Sequence, residues 1–323
     1  MTSPLTVPNT LQEAIEYFAD ANRCHEFAVQ MRWPGGVSCP TCGVVNPRYL
    51  ATRRVFECRE KHAKKQFSVK VGTIFEDSPI ALKSWLLAMW MVANCKNGVS
   101  SYEVARALGV TQKTAWFMLH RIRKAMQDGQ TGGKLGGSVE VDETYIGGKG
   151  RLRNYKTKTR MEKRGYTKTF HGKTVVLGLL QRNTRGGKSK VRLQVVKDNS
   201  MAALLPTVRQ NVRKGSTLYT DALRSYNPLE AEYTRHFVDH AEKYVDGQIH
   251  TNGLENFWSL LKRSIKGTYV SVEPFHLFRY LDEQSYRFNE RAKNDGERFV
   301  GVLKAVIGRR LTFAELTGKE ATA

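Results

Sequence analysis

Acid is what this chain is short of. Its 323 residues hold 52 Lys and Arg against 30 Asp and Glu, a formal net charge of +22. So basic a chain excludes a basic partner and calls for a polyanion, nucleic acid before a membrane surface. Long apolar runs are also missing. The most apolar stretch, from Trp85 to Ala93, is far too short to cross a bilayer, so no membrane partner is expected. The start of the chain lacks the basic-then-apolar order of a secretory leader, which makes the expected location cytoplasmic. Cysteine is scarce, with 5 in the whole chain and three of them clustered, which excludes a disulfide framework. No internal repeat is visible. The 41% hydrophobic fraction is ordinary, and a chain of this length carries two or three domains with a real core.

The acids that are present fall in telling places. Val139 to Ile146 alternates apolar and polar residues and reads as a strand, yet Asp142 sits in its middle, where aspartate is disfavoured. A second β-rich run, Ser216 to Ala222, ends at Asp221. From His250 to Arg263 the period becomes helical: Leu254, Phe257, Trp258 and Leu261 share one face. Glu255 and Lys262 lie two turns apart on another side of that helix. Two strand-borne aspartates and a helix-borne glutamate are a donor set for a pair of hard divalent cations, Mg or Mn, of the kind that serve phosphoryl transfer. Glu143, next to Asp142, points by strand alternation to the opposite sheet face, which gives it a structural role.

Near the front, Cys39, Cys42, Cys58 and His62 form a Cys₃His set for one structural zinc. The Cys-x-x-Cys-Gly turn ending at Gly43 has the knuckle shape that brings amides to thiolates. A redox Cys-x-x-Cys would leave Cys58 unexplained. Cys24 reads as a buried free thiol. Short aromatic and β-branched runs between Tyr49 and Val71 supply the ribbon's strands. Residues 80–94 read as an apolar helix. Ser100 with Glu103 then opens a short helix as a capping box, Gly109 makes a turn, and Thr111 caps a second helix. This is a helix-turn-helix pattern, with Gln112, Lys113 and Thr114 heading the recognition helix and Arg121 and Arg123 near phosphates. A plain helical hairpin is the competing reading, and the overall charge favours DNA. Residues 149–173 crowd Arg151, Arg153, Lys156, Lys158, Arg160, Lys163 and Arg164 around a single acid, Glu162. Such a run beside an acidic centre suits salt-dependent phosphate contacts without sequence preference.

These stretches together resemble a known family, the DDE transposases of bacterial insertion sequences, and within it the ISXO-like group. The resemblance rests on Val141-Asp142-Glu143-Thr144-Tyr145-Ile146-Gly147-Gly148, on Tyr219-Thr220-Asp221, and on His250-Thr251-Asn252 through Glu255-Asn256-Phe257-Trp258 to Lys262-Arg263 and Gly267-Thr268-Tyr269. It covers nearly the whole chain. It implies an α/β fold: a ribonuclease-H-like catalytic domain, with a mixed five-stranded sheet and helices, preceded by a zinc ribbon and a helix-turn-helix. The expected divisions are an N-terminal helical segment (1–36), the ribbon (37–78), the helix-turn-helix region (79–127), a linker (128–137), the catalytic domain (138–292) and a C-terminal tail (293–323). The implied activity is cleavage at element ends and strand transfer into target DNA, with Asp142, Asp221 and Glu255 holding two Mg or Mn ions and Lys262 near a terminal phosphate. Some relatives carry Asn where the third acid is expected, so Asn252 stands as the alternative to Glu255. His62 departs from the family's usual second Cys pair. The implied partners are double-stranded DNA at element ends and target and a second copy of the chain, as a homodimer or larger assembly on DNA at the bacterial nucleoid. The rival readings are an inactive or domesticated DNA-binding regulator and a metal-dependent nuclease that only hydrolyses.

Overall fold

The structure, a computed structural model, describes residues 6–127, 133–147, 173–183, 188–238 and 250–318. In chain order its elements are α1 (Leu11–Tyr17), α2 (Ala21–Arg32), β1 (Arg48–Leu50), β2 (Val55–Glu57), β3 (Gln66–Phe67), α3 (Leu82–Asn94), α4 (Ser101–Leu108), α5 (Gln112–Met126), β4 (Ser138–Ile146), β5 (Thr174–Gln181), β6 (Lys190–Val196), α6 (Met201–Asn211), β7 (Thr217–Asp221), β8 (Thr234–Val238), α7 (Asn252–Ser264), α8 (Leu277–Asn289), α9 (Asp295–Lys304) and α10 (Phe313–Thr317). They form two compact units. One joins Met1–Gln127 to Lys293–Ala323, and the other is Asp128–Ala292.

In the first unit, the N-terminal helical segment is two helices, α1 and α2. Asp20 takes an extended backbone and accepts from the amide of Arg23 at 2.7 Å, so it caps a fresh helix and splits the run in two. Leu11 and Ile15 are 48% and 47% exposed, while Phe18 and Phe27 are buried. Strands β1, β2 and β3 form a small antiparallel sheet. Its apolar side is little more than Cys39, Phe56, Cys58 and Phe67. Helix α3 is the centre of the unit, with Trp85, Leu86, Met89 and Trp90 buried. The segment from residue 293, expected as a tail, closes this core instead: the Phe299 ring of α9 lies 5.3 Å from Trp90 and 5.7 Å from Phe18.

The second unit is built on one mixed sheet of order β6-β5-β4-β7-β8. The β6–β5 and β5–β4 pairs are antiparallel, and the β4–β7 and β7–β8 pairs are parallel. Both faces are covered. Val139, Val141, Val175, Leu177 and Leu179 pack with Leu204 and Val208 of α6 on one side. Val176 and Leu180 pack with Leu254, Phe257 and Trp258 of α7 and Leu281 of α8 on the other. Two-sided burial explains why β5 reads as an unbroken apolar run and not as an alternation. Gly178 interrupts that run for a steric reason. It pairs with Asp142 across the sheet, and a Cβ there would stand 2.5 Å from Cζ2 of Trp258 and 2.9 Å from Leu254. Overpacking of this kind costs about 1–3 kcal/mol. Gly178→Ala is therefore expected to lower stability by at least that much in a denaturant melt, and a neutral result would refute the packing described.

On α8, Arg279 and Arg287 are buried at 8% exposure each. Arg279 lies 3.4 Å from Asp282, and Arg287 pairs with Glu283 and donates to Gln284 at 2.7 Å. Phe275 and Phe278, expected to pack, are 41% and 39% exposed.

Candidate functional site

Four groups converge near the ribbon. Ligand atoms of Cys39, Cys42, Cys58 and His62 all lie within 4.8 Å of one another. The tight turn forms as its residues require: Gly43 has φ +79° and its amide donates to the Cys39 carbonyl at 2.8 Å. His62 Nε2 is 3.5 Å from Cys39 Sγ, and Cys42 Sγ is 3.5 Å from Cys58 Sγ. Burial alone would raise the Cys39 thiol, but the amides of Cys42 and Thr41 and the neighbouring thiols outweigh it and hold the group below its ordinary value. Soft sulfur donors with one imidazole at this spacing fit a tetrahedral zinc. Cys24 stays outside the cluster. Its thiol is buried against the Phe18 carbonyl, and burial pushes it up to about 11.

The second convergence lies at the carboxyl end of β7. Oxygens of Asp142, Glu143 and Asp221 fall within 4.8 Å of one another. The parallel pairing of β4 and β7 runs from Ser138–Thr217 to Glu140–Tyr219 and stops there. Two residues further along each strand, Asp142 stands beside Asp221. Glu143 keeps the opposite sheet face that alternation gives it, with the Tyr226 hydroxyl, and one of its oxygens still reaches the pair beyond that last β4–β7 pairing. One oxygen of each acid is held: the Trp258 indole N–H donates to Asp142 Oδ2 at 2.8 Å, the Leu223 amide donates to Asp221 Oδ1 at 3.0 Å, and the buried Tyr226 hydroxyl donates to Glu143.

Burial raises Asp142 to about 6, and the charges of Asp221 and Glu255 add to it. Burial likewise raises Glu143 to about 8, with Asp221 and Asp142 adding to it. A set of acids that repel one another in a half-buried place is a fitting cradle for hard divalent cations. The sign of the pH effect follows. Both groups hold protons in the folded chain that the unfolded chain releases, so their contribution to cation-free stability is fully present below pH 4 and is lost as pH rises through 6 and on to 8. The Asp142 shift alone is worth roughly 3 kcal/mol. The gain in melting temperature on adding Mn²⁺ should grow from pH 5 to pH 8, and a gain that does not change with pH would count against cation binding here.

Glu255 is exposed on α7 and accepts from the Thr251 hydroxyl at 3.3 Å. It lies outside the convergent set but close enough for its charge to act on Asp142. Lys262 is exposed farther along the same helix, as is Asn252 at its start.

What the sequence reading passed over is Glu140. It is 1% exposed and shares the sheet face of Asp142, two residues away. Arg182 Nε lies 2.8 Å from its Oε1, and the Leu254 amide in the first turn of α7 donates to its Oε2 at 2.9 Å. Gly253 lets the helix come this close, since a Cβ there would meet Glu140 Oε2 at 2.8 Å. Arg182 also stacks 3.8 Å over the Tyr219 ring and reaches His250. A second polar residue on the Asp142 face of a strand buried on both sides was the available signal.

The helix pair α4–α5 is joined by Gly109 at φ +65°, and the capping box at Ser100 and Glu103 is present. Its expected readers are all engaged within the first unit. Gln112 donates to Ser101 at 2.8 Å, the Lys113 ammonium lies 5.4 Å from the Phe313 ring centre, and the Thr114 and Thr111 hydroxyls are 2.9 Å apart. Arg121 and Arg123, expected at phosphates, are 4% and 1% exposed. The Arg121 guanidinium donates to the carbonyls of Ile74, Glu76 and Leu311. Residues this deep do not meet a DNA backbone, so the phosphate role is withdrawn for both. Arg151, Arg153, Lys156, Lys158, Arg160, Lys163 and Arg164 lie outside the described residues.

Comparison with known proteins bears on both clusters. Residues 134–289 match the ISXO2-like transposase domain, and residues 19–63 match the transposase zinc-ribbon domain. A protein described as an uncharacterized protein in transposable element ISH50, from Halobacterium salinarum, is 30% identical over 258 residues, 77% of this chain and 84% of that one. The chain belongs to the ISXO2-like transposase family. An uncharacterized transposase-like protein of Haemophilus influenzae is 35% identical over 103 residues, 32% of this chain and 83% of its own length. The family assignment covers both convergent sets: the acids lie inside the transposase domain match, and the cysteines and His62 lie inside the ribbon match. No described helix is long and apolar enough to cross a membrane.

Proposed function

We propose that the chain is an insertion-sequence transposase that cleaves DNA at element ends and joins the freed 3′-hydroxyl to target DNA. The observation that carries this reading is the convergence of Asp142 and Asp221 from neighbouring central strands, inside the segment that matches the transposase domain. The sheet order, with two antiparallel and two parallel pairings and helices on both faces, agrees with a ribonuclease-H-like catalytic domain. Asp142 and Asp221, with Glu255 completing the set and Glu143 beside them, would hold two Mg or Mn ions. Bound divalent ions supply activation of the attacking oxygen and charge neutralisation at the phosphate. Trp258 orients Asp142. Glu140, through the first turn of α7, fixes the helix that carries Glu255. Lys262 offers a point charge for a terminal phosphate. The pair α4–α5 serves DNA as a helix-turn-helix, and residues 149–173 add phosphate contacts. Two element ends must be brought together, so the chain works as a dimer or larger assembly on DNA.

The test uses purified protein, the ends of its own element and a plasmid target, with Mg²⁺ added or left out. A chelator is avoided so that ribbon zinc stays in place. Joining that needs Mg²⁺ supports the proposal. Cleavage without joining would instead make the chain a nuclease, and binding with neither would make it a regulator.

A further inference from the structure

The segment after α7 has a conformation that its residue type resists. Ile265–Tyr269 is a π-helical turn, and it ends at Val270 with φ +60° and ψ −55°. The Ser271 amide donates back to the Tyr269 carbonyl at 2.6 Å. That is the γ-turn form that is rare and strained for an L-residue, and a β-branched residue suits it least. Glycine would take the same turn freely. The neighbours hold the turn in place. Tyr269 donates to buried Glu283, which pairs with Arg287, and its ring meets Tyr280 edge-on at 4.7 Å. Val272 packs into the α7 side of the core. With both flanks drawn inward, Val270 stands 78% exposed, the most exposed of the large apolar side chains among the described residues. Strain kept by a rigid surround is a reason to look for a function at the residue it displays.

The path to Val270 is basic. Glu255, Ser259, Lys262 and Lys266 lie on one exposed line of α7 and its extension. At 1.5 Å per residue, Val270 is roughly 22 Å beyond Glu255. Duplex DNA rises about 3.4 Å per base pair, so this is about six or seven pairs.

Building on the proposed function, we infer that Val270 is an apolar wedge that enters the element-end duplex about six or seven base pairs from the cut, with Lys262 at the terminal phosphate and Lys266 on the phosphates between. Side chains of this kind unstack a base step and bend the duplex around more protein. A charged DNA backbone leading to an exposed aliphatic group matches the stripe better than a protein partner, which would have no use for the lysine line.

The experiment places 2-aminopurine at successive positions of the terminal duplex and reads its fluorescence with the full chain bound and no Mg²⁺ added, so that no strand is cut. A rise confined to one step is expected. Val270→Ala should reduce that rise by about fivefold or more while changing the binding constant by no more than about twofold. Val270→Leu should keep the rise. Val270→Gly should lose it while holding or raising the melting temperature, which separates a wedge from a structural role. A rise that survives Val270→Ala, or bound DNA with no rise at any position, would overturn the wedge and leave the proposed function standing. Absence of binding to the element ends would overturn both.

Discussion

Asp142→Asn is expected to lower element-end cleavage by a factor on the order of 10³ or more, with DNA binding unchanged. The change keeps shape and removes one negative charge from the centre of the acid set. It also leaves an oxygen for the Trp258 indole, which donates at 2.8 Å in the parent, so the fold should survive. The loss follows from what bound divalent ions do in phosphoryl transfer, where several kcal/mol of charge stabilisation depend on their being held in place. Asp221→Asn should behave alike. Glu143→Gln should cost about 10–100-fold, the usual penalty for weakening the support of a metal site. Glu255→Ala should also abolish joining. Activity that survives Glu255→Ala would move the third ligand to Asn252 or Glu143, and wild-type activity in Asp142→Asn would remove the acid set from the mechanism. The measurement is single-turnover cleavage and joining on a labelled end, beside a gel-shift titration of each variant.

Loss of zinc is the other large expected effect. The small sheet has strands of 3, 3 and 2 residues, too little to hold together alone. Zinc bound to thiolates in small domains contributes apparent free energies of about 10–16 kcal/mol, which is the folding free energy of such modules. The purified chain should therefore carry one zinc for Cys39, Cys42, Cys58 and His62 together. Cys58→Ser should release it and unfold residues around the ribbon, as read by metal content and by amide exchange. His62→Cys should retain it, since a fourth thiolate serves the same geometry. A Cys58→Ser chain with full zinc and unchanged exchange would rule out this site.

How much of this could be read from residue order depends on the range of the contacts involved. The strands of the second unit, the helix at Glu255 and the ribbon's ligand set are signalled within short windows by period, caps and spacing. Position along β4 placed Asp142 in a strand and Glu143 on its opposite face, but did not show that an oxygen of Glu143 reaches the two aspartates. β4 has lost its β7 partner by that point, although it remains paired with β5, and the open strand end lets acids from both faces meet. Arg121 and Arg123 look like surface cations on an isolated helix. Arg121 is buried between segments distant in the chain, donating to the carbonyls of Ile74, Glu76 and Leu311. The buried Arg287 depends on Glu283 one turn away, a pairing that is visible in the sequence but reads equally well as a solvent-facing bridge.

The return of residues 293–318 to the first unit bears on how the molecule is made. Phe299 completes the aromatic group around Phe18, Phe27 and Trp90, and Arg298 reaches Asn94 at 2.9 Å. On a ribosome, Asp128–Ala292 emerges whole and can fold at once, whereas the amino-terminal unit waits with one side of its central helix uncovered until its closing strap is translated. The loop to be closed is long, yet its entropic cost grows only slowly with length, so the delay is one of synthesis and not of search. Nascent chains interrupted before Phe299 would present Trp90 and its neighbours to chaperones and proteases.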